Sequence, residues 1–267
     1  MIFYFTHEST ARGKRRVSMK IEILGCSGSV MQGYNTTSIL INKDTLIDAG
    51  SVSSVLSEEA VRAIRHIMIT HPHIDHIKEL PFVLDALFSG RGHGVSVWAS
   101  AETLNALTDN VFNGMIWPEI RDLNVHRDFI TLKEVPAGVF DIGGLKVQGH
   151  PVDHIPGSLC YQVSEGNGEV LFSGDTGFDQ RLFELVLSLG EDLKIFFVEV
   201  SFPDRMKEIA RLSRHLTPVL LKQGIDGRLA PSARIIAYHI KPRHLDEVVA
   251  ELPPNVAYII GGEVFEF

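Results

Sequence analysis

Short apolar runs rich in β-branched residues recur along the chain, and most stop at a Gly, Pro, Asp or His. Bounded in this way, such runs predict strands. They are "IEILG" (21–25), "TSILIN" (37–42), "TLIDAG" (45–50), "HIMIT" (66–70), "VSVWAS" (95–100) and "ITLKEV" (130–135). Further on come "LKVQGH" (145–150), "LCYQVS" (159–164), "EVLFSGD" (169–175), "KIFFVEV" (194–200), "RIIAYHI" (234–240) and "VAYIIGG" (256–262). Helical patterns lie between them, over 53–65, 77–89, 101–108, 179–189, 203–213 and 242–251. The first opens with serines able to cap it, and the last starts at Pro242, where a missing N–H costs little. Strands interleaved with helices, without a repeat or a polar linker, predict an α/β fold: an αββα sandwich of two mixed β-sheets flanked by helices.

At 267 residues the chain can bury a core without staples. Cys26 and Cys160, far apart and lacking CxxC spacing, therefore read as buried thiols in a reducing, cytoplasmic compartment. A net charge of −8 argues against a broad surface for long nucleic acid, yet leaves room for a small anion beside a metal. No apolar run approaches the ~20 residues that span a bilayer. In residues 1–18 an aromatic patch precedes the basic residues, the reverse of a secretory signal. We expect 1–18 to be an accessory extension without order of its own, and 19–267 a single hydrolase domain.

Five apolar runs end in groups that can bind metal or carry protons. "HIMIT" runs into His71, His73, Asp75 and His76; "LKVQGHPVDH" reaches His150 and His154; "EVLFSGD" ends at Asp175. "KIFFVEV" contains Glu199, and "RIIAYH" ends at His239. Side chains at the carboxyl ends of neighbouring strands converge, which is where open α/β sheets place ligands. His71 and His73, at i and i+2 on extended backbone, point to the same side and can share one metal. Asp75 and His76, entering a helix, can face a second. This donor set suits Zn²⁺, Mn²⁺ or iron, and a pair of ions at roughly 3.5–4 Å needs a bridging group from another strand.

"THPHIDH" (70–76) matches the HxHxDH signature of the metallo-β-lactamase superfamily, and "LFSGDTG" (171–177) is similar to its bridging-aspartate motif. "ILGCSGSV", "NTTSILIN" and "TLIDAGS" resemble its N-terminal hairpin. "FNGMIWPEI" (112–120), "FVEVSFPDRMKEIARLSRHLTP" (197–218) and "AYHIKP" (237–242) resemble the class II cyclic-nucleotide phosphodiesterases, a branch close to the tRNA 3′-end nucleases. The resemblance covers residues 19–267. It implies two divalent metal ions, the first held by His71, His73 and His154, the second by Asp75, His76 and His239, with Asp175 bridging. His154 is preferred to His150 because "HIPGSLCYQV" keeps the family's spacing; His150 is left to line the pocket or to be satisfied within the fold. The resemblance also implies His215 as general acid, oriented by Glu199 and Ser201, although Glu199 and His215 could equally form a structural ion pair. Protonating a basic leaving alkoxide contributes about 10²–10⁴-fold, and a neighbouring carboxylate favours the cationic imidazole that does so.

The reaction so implied is hydrolysis of a 3′,5′-cyclic nucleotide (cAMP or cGMP) to its 5′-monophosphate by hydroxide held at the metals. The partner is then a small cyclic nucleotide, with neither long nucleic acid nor membrane involved, and the resemblance also implies pairing as a homodimer. The alternatives are a tRNA 3′-end endonuclease, for which no lysine- and glycine-rich arm is present, a lactonase or thioesterase of the same fold, or a binding module. Trp117 and Phe112 can stack on a base or pack in the core. His7, His66, His93, His126 and His244 lack ligand spacing, and "SGRGHG" (89–94) lacks Walker A spacing. "GCSGS" (25–29) can offer N–H groups to an anion, but a tight hairpin needs those glycines anyway.

Overall fold

A computed structural model describes residues 19–266, except 89–92, 126–128, 167 and 226–231. Residues 1–18, with His7, and also His126 lie outside the described residues. The first sheet contains β1 (Lys20–Gly25), β2 (Ser38–Ile41), β3 (Thr45–Ile47), β4 (His66–Met68), β5 (Val95–Ala99) and β6 (Ile130–Glu134). The second contains β7 (Phe140–Ile142), β8 (Leu145–Pro151), β9 (Leu159–Ser164), β10 (Glu169–Phe172), β11 (Leu193–Glu199), β12 (Arg234–Tyr238) and β13 (Val256–Tyr258). β14 (Val264–Glu266) returns to the first sheet, giving the orders β14-β1-β2-β3-β4-β5-β6 and β13-β12-β11-β10-β9-β8-β7. Both sheets are mixed: β3 through β6 and β10 through β13 run parallel, and the remaining neighbours antiparallel.

The apolar runs are continuous because most central strands are buried on both faces. Along β11, Ile195 and Phe197 enter the layer between the sheets, while Phe196 and Val198 face the helices. β12 repeats this with Ile236 and Tyr238 inward and Ile235 and Ala237 outward. Helices Gln180–Leu189, Pro218–Ile225 and Leu245–Glu251 cover the second sheet through Leu182, Phe183, Val186, Leu221 and Val248. Helices Leu80–Phe88 and Ala101–Asn110 cover the first through Leu80, Val83, Leu84, Leu87 and Leu107. The expected αββα sandwich is therefore the observed one. Among the described residues no helix is long and apolar enough to cross a membrane. Cys26 and Cys160 are buried free thiols, and burial pushes the pKa of each upward.

Several elements differ from the pattern. The helix expected over 53–65 shrinks to Glu58–Arg62, because the Val52 and Ser54 amides donate to Glu79 Oε2 and hold that stretch in a turn. Its cap is Ser57, whose Oγ accepts from Ala60 N at 3.3 Å. The pattern over 77–89 resolves into Ile74–Ile77 and Leu80–Phe88; Pro81 lacks an N–H and its ring opposes the carbonyl four residues earlier. Two strands of three residues, β7 and β14, and helices Ile120–Leu123 and Pro218–Ile225 have no counterpart in the expectations.

Candidate metal centre

Strand ends from both sheets deliver all seven expected ligands to one place. His71 and His73 follow β4, Asp75 and His76 sit on Ile74–Ile77, and His154, Asp175 and His239 follow β8, β10 and β12. Donor atoms of His71, His73, His154 and Asp175 lie within 4.8 Å of one another, as do those of Asp75, His76 and His239. Asp175 divides its oxygens between the two groups. Its Oδ2 lies 3.5 Å from His71 Nε2 and 3.9 Å from His154 Nε2. Its Oδ1 lies 3.4 Å from both His76 Nε2 and His239 Nε2.

Neighbours fix which imidazole nitrogen points inward. Asp48 Oδ2 accepts from His76 Nδ1 at 2.7 Å, and the Arg214 carbonyl accepts from His154 Nδ1 at 2.9 Å. The Thr70 hydroxyl donates to Asp48, which leaves its oxygen to accept from His71 Nδ1 at 3.0 Å. Ser201 Oγ stands in the same relation to Glu199 and to His239 Nδ1. In each case Nε2 is left as a lone-pair donor facing the cluster, the arrangement of metal-ligating histidines. His71 Nε2 and Asp175 Oδ1 are buried and have no hydrogen-bond partner in the fold. Such orphaned acceptors are costly unless a cation or solvent satisfies them, so the donor set fits divalent metal.

Electrostatics agree. Burial, reinforced by neighbouring imidazoles, lowers the pKa values of His71 and His73, and burial lowers that of His154, which keeps all three neutral. Burial opposes the charge on Asp75 and Asp175, yet the surrounding histidines outweigh it and hold both carboxyls below their usual range. His76 shows the reverse balance: burial disfavours its cation, but Asp175 and Asp48 raise its pKa well above normal. The negative charge that draws a proton there also draws a metal ion.

Beside the cluster, the buried Glu199 carboxylate accepts from His215 Nδ1 at 2.8 Å, Thr176 N, Leu216 N and both polar groups of Ser201. His215 Nδ1 lies 4.0 Å from Asp175 Oδ2, so the pair borders the centre. Burial opposes the imidazolium, but Glu199 more than compensates and raises the His215 pKa. The three residues left open have partners of their own. His150 Nε2 bonds Gln162 Oε1 at 2.9 Å across β8 and β9, and it does not join the histidine cluster. Trp117 packs edge-on against Phe82, ring centroids 5.2 Å apart, over the outer layer of the first sheet. Phe112 is buried in that layer.

A family model described as Anti-Pycsar protein Apyc1 matches residues 19–216. The chain belongs to this family. Among similar proteins, the probable 3′,5′-cyclic-nucleotide phosphodiesterase of Yersinia pestis is 25% identical over 283 residues, spanning 84% of this chain and 79% of the relative. Unliganded yeast PDE1 superposes with a TM-score of 0.79 at 18% identity, covering 93% of this chain and 99% of the other. The metallo-β-lactamase fold protein YhfI of Bacillus subtilis follows with 0.71 at 15%, covering 94% and 100%. This Apyc1-family chain therefore has the metallo-β-lactamase fold and resembles phosphodiesterases built on it. Asp48, Thr70 and Arg214 escaped the sequence reading. Asp48 carried a usable signal, because "TLIDAG" ends in an acid just as "EVLFSGD" does.

Proposed function

We propose that the chain is a metal-dependent phosphodiesterase that opens 3′,5′-cyclic nucleotides to 5′-monophosphates, and that residues 19–267 carry this activity. The observation that carries the reading is the division of Asp175 between two histidine groups, with the Glu199–His215 pair beside it. His71, His73 and His154 would hold one ion, and Asp75, His76 and His239 another, with Asp175 shared. Divalent cations there would supply Lewis acidity at the phosphoryl oxygens and lower the pKa of water toward neutrality. His215, its Nδ1–H engaged by Glu199, directs its other nitrogen at the departing 3′-oxygen and donates a proton to it. Ser201 and the buried carboxylate fix the tautomer and the tilt of that ring. The likeness to the Yersinia phosphodiesterase supports the substrate class.

Purified chain supplied with Mn²⁺ or Zn²⁺ is incubated with cAMP, cGMP, 2′,3′-cyclic nucleotides and precursor tRNA, and the products are separated by chromatography. The expected products are 5′-monophosphates from the 3′,5′-cyclic substrates. Cleavage of the tRNA alone would replace this reading with the endonuclease. Removing residues 1–18 should leave turnover unchanged.

A further inference from the structure

Gly28 carries no backbone reason to be glycine. It is absent from the positive-φ glycines, so the hairpin itself does not demand it, contrary to the expectation for "GCSGS". The demand comes from across the fold. A Cβ on Gly28 would stand 2.6 Å from the His239 carbonyl oxygen and 2.9 Å from both Cε1 and Nδ1 of its ring, closer than real Cβ atoms approach. His239 in turn holds a positive φ of 59°, a strained position for a residue with a side chain. The surroundings over-determine it. His239 N donates to Cys26 O at 2.7 Å, Gly28 N donates to Ile240 O at 3.3 Å, and Lys241 Nζ reaches Gly28 O at 3.0 Å. So clamped, His239 Nε2 faces His76 Nε2 at 3.1 Å and Asp75 Oδ2 at 3.3 Å.

We infer that Gly28 is a positioning residue for the group formed by Asp75, His76 and His239: its missing side chain lets the 25–29 turn close on His239 and hold the imidazole toward the two carboxylates. Among the described residues no hydrogen bond links this turn to His71, His73 or His154, so the effect is expected to be selective. The inference rests on the metal reading proposed above.

The test is metal stoichiometry after Mn²⁺ reconstitution, with near-UV circular dichroism to report folding and electron paramagnetic resonance to report ion pairing. Unaltered chain is expected to hold two ions with a spin-coupled spectrum. Gly28→Ala is expected to hold one ion tightly and to bind the second about 10–100-fold more weakly, with an isolated-ion spectrum, as for other losses of ligand support. A folded Gly28→Ala that binds both ions as tightly as the parent overturns the inference. An unaltered chain that binds none overturns the metal reading instead. His239→Gly removes the ring and relaxes the strained backbone, so Gly28→Ala should cost fewer degrees of melting temperature in that background than alone. An undiminished cost, or a double variant that does not fold, overturns the role by showing that Gly28 serves the backbone around it and not the His239 imidazole.

Discussion

A histidine binds a cation through the nitrogen that carries no proton, so whatever holds the proton on the other nitrogen shapes the centre. Asp48 does this for His76 directly and for His71 through the Thr70 hydroxyl. Its buried carboxylate accepts only; an amide in its place can also donate, and would favour the wrong tautomer of His76. Asp48→Asn should therefore weaken metal binding about 10–100-fold while preserving the fold, as measured by chelator competition. Unchanged affinity would mean that the protein holds His76 by other means. The Glu199–His215 pair makes a different prediction, because it borders the cluster without belonging to either group. His215→Ala should retain metal yet slow substrates with alkoxide leaving groups by about 10²–10⁴-fold. Hydrolysis of p-nitrophenyl phosphodiesters, whose leaving group needs no proton, should slow far less. Equal slowing of both substrates would reduce the pair to a structural ion bridge.

At the scale of elements, close packing accounts for what the residue pattern conveys and what it hides. Helix Pro218–Ile225 lies so near Gln180–Leu189 that a Cβ on Gly224 would meet the Phe183 ring at 2.3–2.5 Å. Alanine gains about 1 kcal/mol in helix propensity over glycine, but overpacking a ring that is 3% exposed costs about 1–3 kcal/mol. Gly224→Ala should thus lower the melting temperature by a few degrees, and Phe183→Leu in the same chain should restore part of the loss. The opposite sign would show that the two helices can separate at little cost. That glycine also helps explain why the helix was not legible: it weakens the local helical signal, and the closeness that requires it belongs to another element. β7 and β14 are short and only partly buried, so they lack the continuous apolar run that marks the equally short β3 and β4. β11 and β12 stand out because two apolar layers leave them no polar face. The ligands were legible for a related reason, since an acid or histidine directly after such a run sits at a strand end. Gly28 and Arg214 act through their own backbone on histidines distant in sequence, which no spacing rule reveals.

Across the whole molecule, the candidate centre is also a seam. The first sheet's connections supply His71, His73, Asp75 and His76; the second sheet's supply His154, Asp175 and His239. Between the sheets lies a largely apolar layer, so the strand-end cluster is where buried charge meets that shared core. Cations bound there would tie the sheets together, and binding to the folded chain alone stabilises a protein by mass action. At free metal about 1,000-fold above the dissociation constant the gain is about 4 kcal/mol, roughly 8–16 °C in melting temperature for a chain of this size. Mn²⁺ or Zn²⁺ should produce this rise and EDTA should reverse it, as followed by differential scanning fluorimetry. Asp175 tests where the rise originates, because its two oxygens face different groups. Asp175→Ala should erase nearly all of the shift, whereas losing a histidine from one group should leave part of it. A full rise in Asp175→Ala would locate the stabilising ions elsewhere on the protein and separate the seam from the chemistry.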